Sequence, residues 1–338
     1  MTTEEARPTA QGHVPTFIRR FDPAVATAFA CIVVLLFLGS LYSTQFLSAD
    51  YLLQQLKVAS FLGVMATGMM LVILLGPIDL SLPWVVAMGG MMASAATAYG
   101  SLGQALAIPF GLACGILLGF VNGIGVAYLR IPSMIITLAV NAVARGLMVA
   151  YTGGFSPQDS ASQAMRFLGA GSIPITAGLG IPIALVVWIV IGAATVFLLS
   201  RTTFGRAVYA IGNRERAAYL SGAATQRIVM IAFAISGALS AFGGILLAGY
   251  ASHASQAMGD PYLLPSIAAV VLGGTALAGG RGGVAGTLGG VLVLSVLDNV
   301  FNQLGVDPFF KNVVRGVVII AAVAVYARGR RTPQGRTA

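Results

Sequence analysis

The chain has 338 residues, of which 57% are hydrophobic and only 9% charged, with a net charge of +9 and a mean hydropathy of +0.90. A water-soluble domain carries about 25% charged residues, so this composition excludes an ordinary soluble protein and points to a chain folded in lipid. The positive charge does not indicate nucleic-acid binding, because the basic residues are scattered between apolar runs, as expected of charges that orient a chain in a membrane.

Residues 1–23 form a polar tail with Arg7, Arg19 and Arg20. The apolar run that follows, 24–42, is long for a signal peptide and lacks a small-residue cleavage site, so it reads as an uncleaved first helix. A bilayer span needs about 20 apolar residues. By that measure the chain predicts an all-α, polytopic transmembrane bundle of ten spans, at 24–42, 57–75, 83–99, 104–127, 134–151, 181–200, 228–250, 264–280, 284–304 and 310–327. The 264–280 run is short and ends in Gly279-Gly280-Arg281-Gly282-Gly283, so it is a candidate for a partial or re-entrant helix. The domain organisation is then a tail, a membrane domain over 24–327 with a polar loop at 201–227, and a second tail at 328–338. Cys31 and Cys114, both inside apolar runs, argue against a disulfide framework or a zinc site.

With the N-terminus inside, fourteen arginines fall on cytoplasmic segments: 7, 19, 20, 130, 201, 206, 214, 216, 227, 281, 328, 330, 331 and 336. Only Arg166 falls in an outer loop, while Lys57 and Lys311 lie at outer helix ends. This bias predicts cytoplasmic termini.

After the second span comes Asp79-Leu80-Ser81-Leu82-Pro83. Asp79 is suited to capping the helix that begins there, or to lining an inner gate together with Ser81. Gly111, Gly115, Gly119 and Gly123 recur every four residues and so line one stripe of the fourth span; Gly286 and Gly290 repeat the pattern. In lipid such stripes are where helix backbones approach one another. The loop 201–227 holds Asn213, suited to capping a short helix 214–220 that Gly222 can end. Two readings fit such a helix: a handle for another protein, or a basic loop lying on anionic lipid.

An echo links the two halves. Asp260-Pro261-Tyr262-Leu263-Leu264-Pro265 before a helix with Gly273-Gly274 resembles the Asp79 segment before a helix with Gly89-Gly90. Arg145-Gly146 in the fifth span has a counterpart in Arg315-Gly316 in the tenth. An inverted repeat of spans 2–5 in spans 7–10 would produce such pairs. Intramembrane polar groups are functional candidates, and here they are Asn141, Arg145, Asp298, Asn299, Asn302 and Arg315. They line a path for a hydroxyl-rich solute, or Asp298 pairs with Arg315 or Arg145 to hold helix register. The outer loops 152–180 and 251–263 are polar, with Gly and Pro, and His253 reads as a solvated loop histidine.

The polar loop resembles the coupling segment of ABC importer permeases of the ribose/xylose/arabinose type. The residues that carry this are Phe204-Gly205-Arg206, Tyr209-Ala210-Ile211-Gly212, Ala217-Ala218 and Leu220-Ser221-Gly222. Gly76-Pro77-Ile78-Asp79-Leu80-Ser81, Thr152-Gly153-Gly154 and Ile267–Thr275 followed by Gly279-Gly280-Arg281-Gly282 are similar to that family as well. The resemblance covers about residues 50–327, with departures at Pro77, Leu82-Pro83 and Asp298. It implies a permease subunit that moves a monosaccharide or related polyol across the bacterial inner membrane. It implies a second permease subunit, a second copy of this chain in the simplest case of a homodimer, a cytoplasmic ATP-binding subunit and a periplasmic or lipid-tethered solute-binding protein. Gly205, Arg206, Gly212, Asn213, Arg214, Glu215, Ala217, Ala218, Leu220, Ser221 and Gly222 would then couple to the ATP-binding subunit. Neither of the two lysines sits in a phosphate-binding Gly-x-x-x-x-Gly-Lys loop. ATP and magnesium are therefore expected on the partner, with no cofactor bound by this chain. A proton- or sodium-driven transporter is the alternative of a different class, and permeases for branched-chain amino acids or nucleosides are the alternatives within the importers.

Overall fold

The computed structural model describes residues 23–42, 44–155, 160–176, 179–307, 309–317 and 320. Residues 1–22 with their arginines, the 328–338 tail and the end of the predicted tenth span lie outside the described residues.

The elements run in chain order as α1 (Pro23–Tyr42), α2 (Ala49–Leu75), α3 (Leu82–Ala96), α4 (Gly100–Ala127), α5 (Ser133–Thr152) and α6 (Gln163–Ala170). The hairpin strands β1 (Ser172–Thr176) and β2 (Leu179–Pro182) follow. The chain continues with α7 (Ile183–Arg201), α8 (Thr203–Leu220), α9 (Thr225–Ala251), α10 (Leu263–Leu272) and α11 (Val284–Gln303). Residues 309–317 are also helical. Six helical stretches among the described residues are long and apolar enough to cross a bilayer: α2, the Leu82–Ala127 run, α5, α7, α9 and α11. The chain is therefore a multi-pass membrane helix bundle.

The bundle is built around α2. Its most apolar stretch is 94% buried, so it is enclosed by protein, as a helix hydrophobic on all sides must be when it leaves the lipid boundary. Ser48 caps it, accepting from the Tyr51 amide, so two turns precede the predicted apolar span. Met65, Met69 and Met70 are fully buried in it, flexible side chains that fill irregular gaps. At Gly63 there is no room for a side chain, because a Cβ would lie 2.0 Å from the Trp188 ring of α7.

The glycine stripe of α4 packs on α9. A Cβ at Gly115 would lie 2.5 Å from the Gly237 carbonyl oxygen, and one at Gly237 would lie 2.2 Å from that of Gly115. Gly119 meets Phe233 and Gly123 meets Met230, so the two helices run antiparallel with their backbones in contact. Gly286 and Gly290 of α11 touch the carbonyl oxygens of Gly273 and Ala269 in the same way.

Two helices are interrupted. α10 has ten residues, about 15 Å at 1.5 Å per residue, half of a bilayer core of about 30 Å. It stops at Leu272, and residues 273–283 form a turn-rich loop. Gly274, Gly279, Gly280 and Gly282 there have φ of 87°, 81°, 76° and 135°, a region that glycine enters freely. The predicted 264–280 run is thus half helix and half loop. The second interruption lies between α2 and α3, at 76–81.

At the end of the bundle opposite α8, the predicted loop 152–180 carries α6 and the hairpin, with Ser172 paired to Pro182 and Ile173 to Ile181. Lys57, buried near the start of α2, donates to the Ala170 carbonyl oxygen 3.2 Å away, at the C-terminus of α6, where carbonyl dipoles favour a cation. The loop at 251–263 joins this layer through the Ala161 amide and the Ser252 carbonyl, 3.0 Å apart. His253 is exposed, with its Nδ1 2.9 Å from the Ala251 carbonyl oxygen.

Candidate functional site

The arginine-rich loop folds back on the bundle rather than hanging free. Thr202 starts α8 by accepting from the Gly205 amide, 3.3 Å away. A Cβ at Gly205 would lie 2.1 Å from the Leu199 carbonyl oxygen, so the turn from α7 into α8 admits only glycine. Val208 and Ile211 are buried. At Gly212 a Cβ would lie 2.0 Å from the Leu74 carbonyl oxygen and 2.5 Å from the Gly280 nitrogen. The Gly280 amide donates to that same Leu74 carbonyl at 2.9 Å. The backbones of α8, the end of α2 and the 273–283 loop therefore meet at one point. Tyr209 adds a hydrogen bond from its hydroxyl to the Gly282 carbonyl oxygen, 2.9 Å away. Burial raises the Tyr209 phenol above its ordinary value, which keeps the donating proton in place.

The short helix expected over 214–220 is present as a second arm: the helical run from Thr203 to Leu220 breaks at Arg214, whose φ of −158° and ψ of 100° are extended, and resumes at Glu215. The expected Asn213 cap is corrected. The Asn213 amide nitrogen donates back to the Tyr209 carbonyl, 2.9 Å away, so its side chain is spent on the upstream turn. Gly222, with φ 85°, does follow the end of the helix. Arg206, Arg214, Ala217, Leu220 and Ser221 are exposed, whereas Gly205 and Ala218 are buried. A cavity of about 450 Å³ opens beside the bend, against Ala210, Arg214, Ala217 and Ser221. Glu215 pairs with Arg130 at 2.7 Å.

The 76–81 break is held by polar side chains from α4 and α5. Asp79 is buried, and its Oδ1 accepts from the Ser81 amide at 2.9 Å and from the Ser81 hydroxyl at 2.6 Å. It forms a turn ahead of α3, rather than accepting from the amides of the first helical turn. Asn122 Nδ2 donates to the Ser81 hydroxyl at 2.8 Å. Ser133 and Thr137 accept from the Ile78 and Leu80 amides at 3.4 and 3.1 Å, and Asn141 accepts from the Trp84 amide at 3.4 Å. Non-helical backbone at membrane depth needs such partners.

The remaining polar candidates separate into two places. Asp298 takes a two-point contact from Arg315, at 2.6 Å to Nη2 and 3.2 Å to Nε. Arg145 is not part of this pair; it is exposed, with its guanidinium carbon 5.8 Å from the centre of the Trp84 ring, a cation–π contact. Near the Asp298–Arg315 pair, the Tyr51 hydroxyl donates to Asn299, Lys311 donates to Asn302, and Gln303 Nε2 donates to the Tyr51 hydroxyl at 3.1 Å. Asp298, Asn299, Asn302 and Arg315 thus border one polar cavity of about 210 Å³. The pair is only 15% and 28% exposed, so removing one partner strands the other charge. Asp298→Ala is expected to destabilise the bundle by roughly 1–3 kcal/mol, less than a fully buried pair would. The yield of folded protein extracted from membranes should fall more than solute selectivity changes; normal yield with altered selectivity would argue the reverse.

Sequence reasoning missed Asn122, Tyr51, Gln303 and Arg130. Asn122 was findable, since an amide inside a glycine-striped apolar helix is itself a signal. The other three lie at helix ends or in a turn, where polar residues are ordinary.

The family model for the branched-chain amino acid transport system permease component matches residues 51–323. The ribose import permease protein of Haemophilus influenzae is 35% identical over 302 residues, covering 88% of this chain and 91% of that protein. That of Bacillus subtilis is 36% identical over 297 residues, covering 87% and 90%. The xylose transport system permease protein of Escherichia coli is 31% identical over 351 residues, covering 87% and 89%. No solved structure matches the chain.

Proposed function

Because this chain belongs to the permease-component family that includes the ribose and xylose import permeases, we propose that it forms the membrane path of an ATP-driven importer for a monosaccharide. It is a transport subunit rather than an enzyme. Its partners are a second permease subunit, a cytoplasmic ATP-binding subunit that carries ATP and magnesium, and a solute-binding protein presented at the α6 and 251–263 end. In this reading it sits in a bacterial inner membrane with the α8 end and both tails, 1–23 and 328–338, in the cytoplasm. The membrane domain is 24–327, with the coupling loop at 201–227. The ten-span count and the inverted repeat belong to the same proposal, supported by the parallel starts of α3 and α10, each with proline in its first turn.

The observation that carries the reading is the seat of α8. An exposed, bent, arginine-bearing helix meets the bundle backbone to backbone at Gly212, Leu74 and Gly280. Motion imposed on it from outside would therefore reach α2 and the loop after α10 without slack, as in rigid-body transmission. A loop that merely lay on anionic lipid would need no such seat. Asp79 and Ser81 lie in the break between α2 and α3, with Asn141 and Arg145 of α5 beside Trp84 of α3, and the Asp298–Arg315 cavity lies toward the opposite end; we assign both to the solute path.

The test is reconstitution. The chain is purified with its ATP-binding subunit into liposomes, and labelled ribose is added with the binding protein outside. Uptake should require ATP and all three components. Ribose accumulation by this chain alone on a proton or sodium gradient would overturn the proposal.

A further inference from the structure

We propose that the Arg130–Glu215 ion pair is a releasable latch that holds the second arm of α8 to the α4–α5 turn, so that Arg130 and Glu215 act as positioning residues for coupling. The inference rests on the importer reading above. The bend at Arg214 divides α8 into two arms. The first arm is welded to the bundle by backbone contact at Gly212 and by the Tyr209 hydrogen bond to Gly282. The second arm begins at Glu215, immediately after the bend, and its side chain reaches Arg130 at 2.7 Å. The two arms thus grip different parts of the bundle. One holds α2 and the 273–283 loop, and the other holds the turn into α5.

Arg130 is a costly choice for its position. It follows the end of α4 with a φ of 55°, and the Ile131 amide closes the turn on the Gly125 carbonyl at 3.0 Å. Glycine is the default residue in this left-handed, helix-ending conformation, and a long side chain there is strained. Backbone strain of this kind marks a residue kept for its side chain. The pair is exposed, at 61% and 48%, so solvent weakens it. It can therefore open and reform as the partner moves the coupling helix, whereas the glycine contacts of the first arm cannot. Downstream of Arg130, α5 supplies Ser133, Thr137 and Asn141 to the 76–84 segment. Opening the latch would free the helix that holds the Asp79 break in place.

Four variants test this in the reconstituted complex, with ribose imported per ATP hydrolysed as the readout: Arg130→Gln, Glu215→Gln, the exchanged pair R130E/E215R, and Arg130→Gly. Arg130→Gly removes the charge while relieving the backbone, so it should be extracted from membranes in at least wild-type yield. Each single variant should lower ribose per ATP by about two- to fivefold, the upper part of what an exposed ion pair contributes. The exchanged pair should restore most of it. Unchanged ribose per ATP in Arg130→Gly, or no rescue by the exchange, would overturn the latch. Absence of ATP-driven uptake in the wild-type complex would instead defeat the importer reading on which it rests.

Discussion

Gly237→Leu is expected to remove most of the folded protein from the membrane. The Gly237 Cα faces the Gly115 carbonyl oxygen, which would lie 2.2 Å from even a single added methyl carbon. The obstacle is backbone on the opposing helix, so no rotamer change relieves it. Gly115, Gly119 and Gly123 stand on the same line against α9, so a local separation spreads along the interface. Extra methylenes in an adaptable core cost about 1–3 kcal/mol; a leucine here should exceed that range and consume much of a folding free energy of about 5–15 kcal/mol. In lipid no hydrophobic drive between helices compensates for a lost close approach. Gly146→Leu is the control, because a Cβ at Gly146 on α5 has nothing within 4 Å. The fraction of each variant that stays monodisperse in mild detergent reads the difference. A Gly237→Leu protein as well behaved as the control would refute the packing argument.

Gly212→Ala should separate ATP hydrolysis from transport. The added carbon would lie 2.0 Å from the Leu74 carbonyl oxygen and 2.5 Å from the Gly280 nitrogen, so α8 must lift off its seat. α8 lies at the edge of the bundle and contributes few of the large buried side chains, so the membrane helices should still assemble. Ribose uptake in the reconstituted complex should fall by at least about tenfold, toward the upper end of single-site coupling effects, while ATP hydrolysis persists. Full uptake would mean that the three-way backbone contact transmits nothing. Equal loss of hydrolysis and uptake would mean that the variant fails to dock its partner, which also counts against transmission.

Much of this architecture is written in local chemistry. Apolar runs such as 57–75 and 228–250 became α2 and α9 because a backbone in lipid must bond to itself. The Gly111–Gly123 stripe was readable as a close-packed face, because every fourth residue falls on one side of a helix. That α9 receives it, rather than α5, depends on how helices tilt and neighbour one another. The 264–280 run was apolar enough to be drawn as a span, and its glycines hinted otherwise; α10 ends at Leu272 because the loop glycines adopt positive φ and close against α8 and α2.

The polar candidates show the same division. Chain chemistry alone offered Asp298 two roles, lining a solute path or pairing with Arg315 or Arg145. Helix rotation chose Arg315 and left Arg145 over Trp84. Asn213 met the compositional rule for a cap, yet its amide turned back to Tyr209 because the bend falls one residue later, at Arg214. Residue type and spacing determine which groups need partners, since solvation and hydrogen-bonding costs act residue by residue. Which partner each one meets is settled by packing, because contacts between helices depend on tilts and rotations that no single segment encodes.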